Sequence, residues 1–93
     1  MSNIENIEPL ISETEHQIQS VREQWIYELK DLQESVGHLL KMTQDDDRRR
    51  ISASYSNIAQ LAVRAETKRA TLITLMETRT RQDKFSEFAN AIK

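Results

Sequence analysis

Ninety-three residues with thirteen Lys/Arg, fifteen Asp/Glu, one glycine, one proline and no cysteine exclude a good deal at once. The length suits one domain, since cores divide only above roughly 100 to 200 residues, and the scarcity of Gly and Pro excludes a turn-rich sheet fold in favour of helices. Without cysteine there is no disulfide framework, no thiol nucleophile and no Cys-based zinc site.

The net charge of −2 conceals an asymmetry. Residues 1–47 carry three cations against eleven acids, a balance of −8, whereas residues 48–93 carry ten cations against four acids, a balance of +6. Halves of opposite sign prefer each other to copies of themselves, which favours folding the chain back on itself.

The start, Met1-Ser2-Asn3-Ile4-Glu5, has neither the basic nor the apolar region of a signal peptide, and no apolar run approaches the ~20 residues a bilayer span needs. A soluble cytoplasmic protein with no membrane partner is expected, with export without a cleaved signal left open.

Positions seven apart from Ile4 read Ile4, Ile11, Ile18, Trp25, Leu32 and Leu39, a complete heptad a row. The d row, Ile7, Thr14, Val21, Glu28, Ser35 and Met42, is only half apolar, and at Leu29 and Val36 the stripe drifts to the neighbouring e row. The pattern predicts a helix over about 9–42, with Pro9 in its first turn, where a missing N–H costs nothing. Gly37 is its weak point, at up to ~1 kcal/mol, and a candidate break.

Residues 43–47, Thr-Gln-Asp-Asp-Asp, read as a turn whose acids can cap the next helix and face its positive end. Arg48, Arg49 and Arg50 then oppose that dipole, with the Asp run as compensation. A second helix is predicted over about 46–90, with its stripe through Ile51, Tyr55, Ile58, Ala62, Ala65, Leu72 and Met76, then Phe85, Phe88 and Ile92, and with Leu61 and Leu75 flanking. Folding about residue 46 makes i and 92 − i neighbours: Ile4 and Ile7 with Phe88 and Phe85, Ile18 with the region of Leu72 to Leu75, Trp25 with Ala65 to Thr67, Leu32 with Leu61, and Leu39 with Ser54 and Tyr55. The expected fold is all-α, an antiparallel helical hairpin ~50 to 65 Å long at 1.5 Å per residue.

One stripe per helix leaves apolar residues over. Leu10, Ile26, Leu29, Val36 and Leu40 on the first helix and Val63, Ala70 and Ile73 on the second fall off it. Ile26, Leu29, Val36, Leu40, Val63, Ala70 and Ile73 are the candidate partner-binding set, completing a bundle by association with a second copy or another helical protein.

Other motifs have plainer readings. Glu28 interrupts the d row, where an ion pair with Arg64 or Lys68 explains it better than a ligand site. Glu13 and His16 make one Glu-x-x-His, but a di-iron centre needs two, and the second half has no His. Glu34 and His38 read as an exposed helical pair. The basic residues of the second half, headed by Arg48, Arg49 and Arg50, support an alternative reading as a dimeric nucleic-acid-binding regulator, without helix-turn-helix spacing or interleaved aromatics to strengthen it. No Gly-rich phosphate loop and no Ser/His/Asp set is present, so no enzyme activity, cofactor or metal is expected.

The outline resembles two groups of helical hairpins, in architecture alone. In length it is similar to WXG100 secreted proteins, but Trp25 and Gly37 do not form their Trp-x-Gly turn. In style it is similar to the acidic hairpin co-chaperones of type III secretion, which implies binding of an amphipathic helix from another subunit. Neither resemblance assigns a role to any residue. The reading is a non-enzymatic interaction module (chaperone, adaptor or regulator), with the nucleic-acid regulator and a purely structural homo-oligomer as alternatives.

Overall fold

The computed structural model describes residues 7–42 and 48–92. Two helices, α1 (Ile7–Lys41) and α2 (Arg48–Ala91), pack along their length as an antiparallel hairpin measuring 72 × 16 × 14 Å. Its α2 runs unbroken for 44 residues, ~66 Å at 1.5 Å per residue, close to the expected span of about 46–90. The expected turn at 43–47, its Asp caps and Ile4 lie outside the described residues.

Local chemistry accounts for the helix ends. Pro9 sits in the first turn of α1 with Glu8 at the positive end of the dipole, while His38 and Lys41 occupy the last turn at the negative end. There the Met42 N–H donates to Leu39 O at 3.1 Å, a tighter turn that satisfies a terminal carbonyl. Gly37 does not break α1, which passes through it with ordinary helical backbone. Along α2, Thr67, Thr71, Thr74, Thr78 and Thr80 each donate a hydroxyl to the carbonyl four residues earlier, which satisfies exposed β-branched residues inside a helix.

Burial defines the seam. On α1 the residues withdrawn from solvent run through Ile7, Ile11, Thr14, Ile18, Val21, Trp25, Glu28, Leu32, Ser35, Leu39 and Met42, the expected a and d rows. On α2 they run through Ile51, Ser54, Ile58, Leu61, Ala65, Lys68, Leu72, Leu75, Arg79, Gln82, Ser86 and Ala89. This corrects the expected second stripe: Tyr55, Ala62, Met76, Phe85, Phe88 and Ile92 are all exposed. Ile51, Ile58, Ala65 and Leu72 belong to both patterns, so the competition lay between the rows flanking them. Leu61 and Leu75 bury more apolar surface than Ala62 and Met76 do, and they bring Ser54, Lys68 and Gln82 in with them.

Those polar residues recur every fourteen positions and meet polar or soft residues of α1 at the same interval. Gln82 Nε2 donates to Thr14 Oγ1 at 2.9 Å and the Ser54 hydroxyl to Met42 Sδ at 3.9 Å, while Lys68 Nζ reaches Gln24 Oε1 at 2.6 Å beside Glu28. A slip of one heptad would put Gln82 against an aliphatic residue, so the polar layers fix the register. Five cross-helix pairs, adding Asn57 with Ser35 and Arg79 with Glu15, have residue numbers totalling 92 to 96. The fold-back point therefore lies up to two residues later than expected.

The core is thin. Among the described residues only Leu61, Ala65, Leu72, Ala89 and Thr14 are buried, and no large side chain is sealed from solvent.

Candidate functional site

Besides the Ser54–Met42 and Ser35–Asn57 contacts, three polar stations interrupt the seam. At the first, the Thr14 hydroxyl donates to Leu10 O at 2.9 Å and accepts from Gln82. Gln82 Oε1 is buried there and meets no donor among the described residues. At the second, half-buried Arg79 bonds Glu15 at 2.9 Å across the seam and Asp83 along its own helix. Those bonds, to Asp83 first, hold the guanidinium above its usual range. The third corrects the expectation for Glu28, which makes no ion pair with Arg64 or Lys68. Glu28 is half-buried but stays at the rim, and Lys68 turns to the neighbouring amide of Gln24. Glu13, His16, Glu34 and His38 are exposed, and no group of three or more His, Asp or Glu able to hold a metal ion occurs among the described residues.

The apolar residues left outside the seam are better organised than scattered surface hydrophobics. In the heptad lettering of the seam, α1 has Leu29 and Val36 at e with Ile26 and Leu40 at b; α2 has Tyr55, Ala62 and Met76 at e with Ala59 and Ile73 at b. All are exposed, the larger side chains from 37% at Val36 to 80% at Leu40. In an antiparallel pair the e rows of the two helices border the same edge. The hydrogen bonds agree, because Gln24 and Asn57, both g residues, bond seam residues on the opposite edge. The surplus of both helices therefore converges on one edge, mostly over the half nearer the linker between Met42 and Arg48, with Ile73 and Met76 just past the midpoint.

Of the seven candidate partner-binding residues, Ile26, Leu29, Val36, Leu40 and Ile73 share this edge. Val63 and Ala70 are also exposed but lie one step further round α2, lining a shallow depression with Ala62 and Glu66. Tyr55, Ala59, Ala62 and Met76 were missed as edge residues. The signal that could have found them is the 14-residue recurrence of Ser54, Lys68 and Gln82, which marks the d row and so moves Tyr55 and Met76 out of the seam.

Charge subdivides the edge. In its linker half it carries Glu66 and Arg69, bonded at 2.6 Å; the bond to Arg69 lowers the Glu66 carboxyl below its ordinary range and the bond to Glu66 raises Arg69. In the terminal half the e and b rows hold Glu8, Glu15, Asp83 and Glu87 against one cation, Arg22. Leu10, Phe85 and Ile92 occupy the opposite, g-side edge near the chain ends, with Phe88 beside them, all exposed. Arg48, Arg49 and Arg50 open α2 as exposed residues, of which Arg49 and Arg50 already have partners within the chain. No helix among the described residues is long and apolar enough to cross a membrane.

No protein-family model matches the chain, and no curated protein or solved structure is significantly similar to it.

Proposed function

We propose that this protein is a non-enzymatic interaction module, an adaptor, small chaperone or regulator of cytoplasmic location, that receives helical surface on the apolar edge formed by the e and b rows of α1 and α2. The observation that carries the reading is the convergence of Ile26, Leu29, Val36 and Leu40 with Tyr55, Ala62, Ile73 and Met76 on one exposed edge. Single exposed hydrophobics are ordinary, whereas a contiguous patch rimmed by charge is how soluble proteins present a binding surface. Its 3–4 spacing is that of a seam.

The alternative of a nucleic-acid regulator rests on α2 alone. Several of its cations are engaged by the chain's own acids: Arg69 by Glu66, Arg79 by Glu15 and Asp83, and Arg81 by Glu77 at 3.9 Å. That leaves fewer charges for phosphates, which favours the protein-binding reading.

The test is the double substitution Ile26→Lys/Val36→Lys. Both side chains lie outside the seam, so far-ultraviolet circular dichroism should be unchanged. Binding of any partner, measured by capture on immobilised protein and by light scattering, should fall about 100-fold or more, as expected when charges enter a desolvated interface. Equal binding by variant and parent would remove the edge from consideration.

A further inference from the structure

The chain exposes more surface than a compact chain of its size would, so it has surface to spare for a partner. The accessible area is 7471 Å² for 10.9 kDa, against about 5,600 Å² for a globular monomer of that mass. The excess exceeds the ~800 Å² that each partner contributes to an interface of standard size. Resting on the reading of the edge as a binding surface, we propose that its occupant is a second copy of the chain, in a two-fold four-helix bundle with both linkers at the same end.

Only two two-fold arrangements bring a flat hairpin face against itself. With the axis across the helices, the linkers lie at opposite ends and each α1 runs along the partner's α1. With the axis along the helices, the linkers lie together and each α1 runs along the partner's α2. Three observations choose between them.

The first is charge. Within its described span α1 has three cations and seven acids, for −4, and α2 nine cations and four acids, for +5. Linkers apart would set like helices side by side. Linkers together make all four neighbouring pairs opposite in sign, which extends to the bundle the attraction already present within each hairpin.

The second is position. Most of the apolar edge occupies the linker half, with Ile73 and Met76 just past the midpoint, whereas Glu8, Glu15, Asp83 and Glu87 lie toward the chain ends, with Arg22 the one cation on the e and b rows of that half. Full overlap with linkers apart would press acids onto apolar residues, whereas linkers together superimpose the apolar halves and leave the acidic halves to diverge into solvent.

The third is the rim. The cross-helix bonds place residue i of α1 level with residues near 94 − i of α2. Glu23 is then level with Arg69 and Lys30 with Glu66, each to within two residues. Both α1 residues are at f, beside the b row, so with linkers together each comes level with the opposite charge of the Glu66–Arg69 pair on the second copy and extends that pair across the interface.

The experiment uses the whole chain, whose lack of cysteine allows single spin labels. Light scattering from micromolar to several hundred micromolar protein should give twice the 10.9 kDa chain mass, and Ile26→Lys/Val36→Lys should return a monomer of equal helicity. Glu13→Cys and Lys41→Cys, each spin-labelled, should both give copy-to-copy distances under about 40 Å. Linkers apart, at 1.5 Å per residue, would push at least one of them beyond about 42 Å. A long distance at either site, or a dimer indifferent to the double lysine variant, overturns the arrangement. A folded monomer at every concentration overturns the second copy. If that monomer captures another protein through Ile26 and Val36, the binding edge stands; if the variant matches the parent in both assays, the edge falls as well.

Discussion

Thr14 and Gln82 show how one hydrogen bond can be both well made and costly. Thr14 Oγ1 has two partners, Leu10 O and Gln82 Nε2, both at 2.9 Å, while Gln82 Oε1 is buried with none among the described residues. A buried acceptor without a donor costs about 1–3 kcal/mol, comparable to what the bond itself returns. Thr14→Val alone would strand the Gln82 amide and should lower stability by about 1 kcal/mol. Gln82→Leu removes the orphan oxygen, leaves Thr14 bonded to Leu10 and should raise stability by about 1–2 kcal/mol. The double variant should exceed the sum of the two, and urea unfolding of all four proteins measures the coupling. Simple additivity, or a loss of stability in Gln82→Leu, would mean that the bond matters more than the burial. What the pair supplies is register, since Gln82 finds an oxygen partner only where Thr14 faces it.

At the scale of the helices, α1 was legible and α2 only partly so. The a row of α1 is apolar at every position, and drift into Leu29 and Val36 is what 3.6 residues per turn dictates. In α2 the d row alternates Leu61 and Leu75 with Ser54, Lys68 and Gln82, and the e row offers Tyr55, Ala62 and Met76. Hydrophobicity read along one helix cannot rank these rows; the ranking comes from what α1 places opposite, a property of the pair. The same ambiguity creates the candidate site, because the row that loses the seam is left as an exposed apolar edge. All seven candidate partner-binding residues were legible as surplus, but that five of them share one edge depended on a register that only the pairing supplies. Gly37 gives a test of the continuity of α1. A Cβ there meets nothing within 4 Å and the backbone is helical, so Gly37→Ala should stabilise by about 0.5–1 kcal/mol. A gain of 1 kcal/mol moves Tm by about 4–8 °C in a domain of this size. No change in Tm would mean that α1 frays before residue 37 in solution.

The whole molecule is a 72 Å rod with a core one side chain thick, so hydrophobic burial between two helices has to be supplemented by something that chooses the partner. Opposite charge does this at little structural cost: −4 on α1 and +5 on α2 penalise α1 with α1 and α2 with α2 before any side chain packs. Apart from half-buried Arg79, the residues of the ion pairs are exposed, so each pair contributes little; selectivity comes from the summed field. Peptides spanning residues 7–42 and 48–92 should therefore form a helical complex when mixed and stay weakly helical alone, since isolated helices depend on packing of their apolar face. The circular dichroism of the mixture should exceed the average of its components. The excess should shrink between 0.1 and 1 M salt, as the screening length falls from about 10 to 3 Å, and persist in part because the apolar seam is not screened. A mixture equal to its average would mean that the linker, by holding the halves at high effective concentration, makes the hairpin. An excess indifferent to salt would assign partner choice to the polar layers at Thr14, Glu28 and Met42 instead. Either result bears on a second copy, because the alternation of charge that selects α2 for α1 within one chain is the same force that would select it between two.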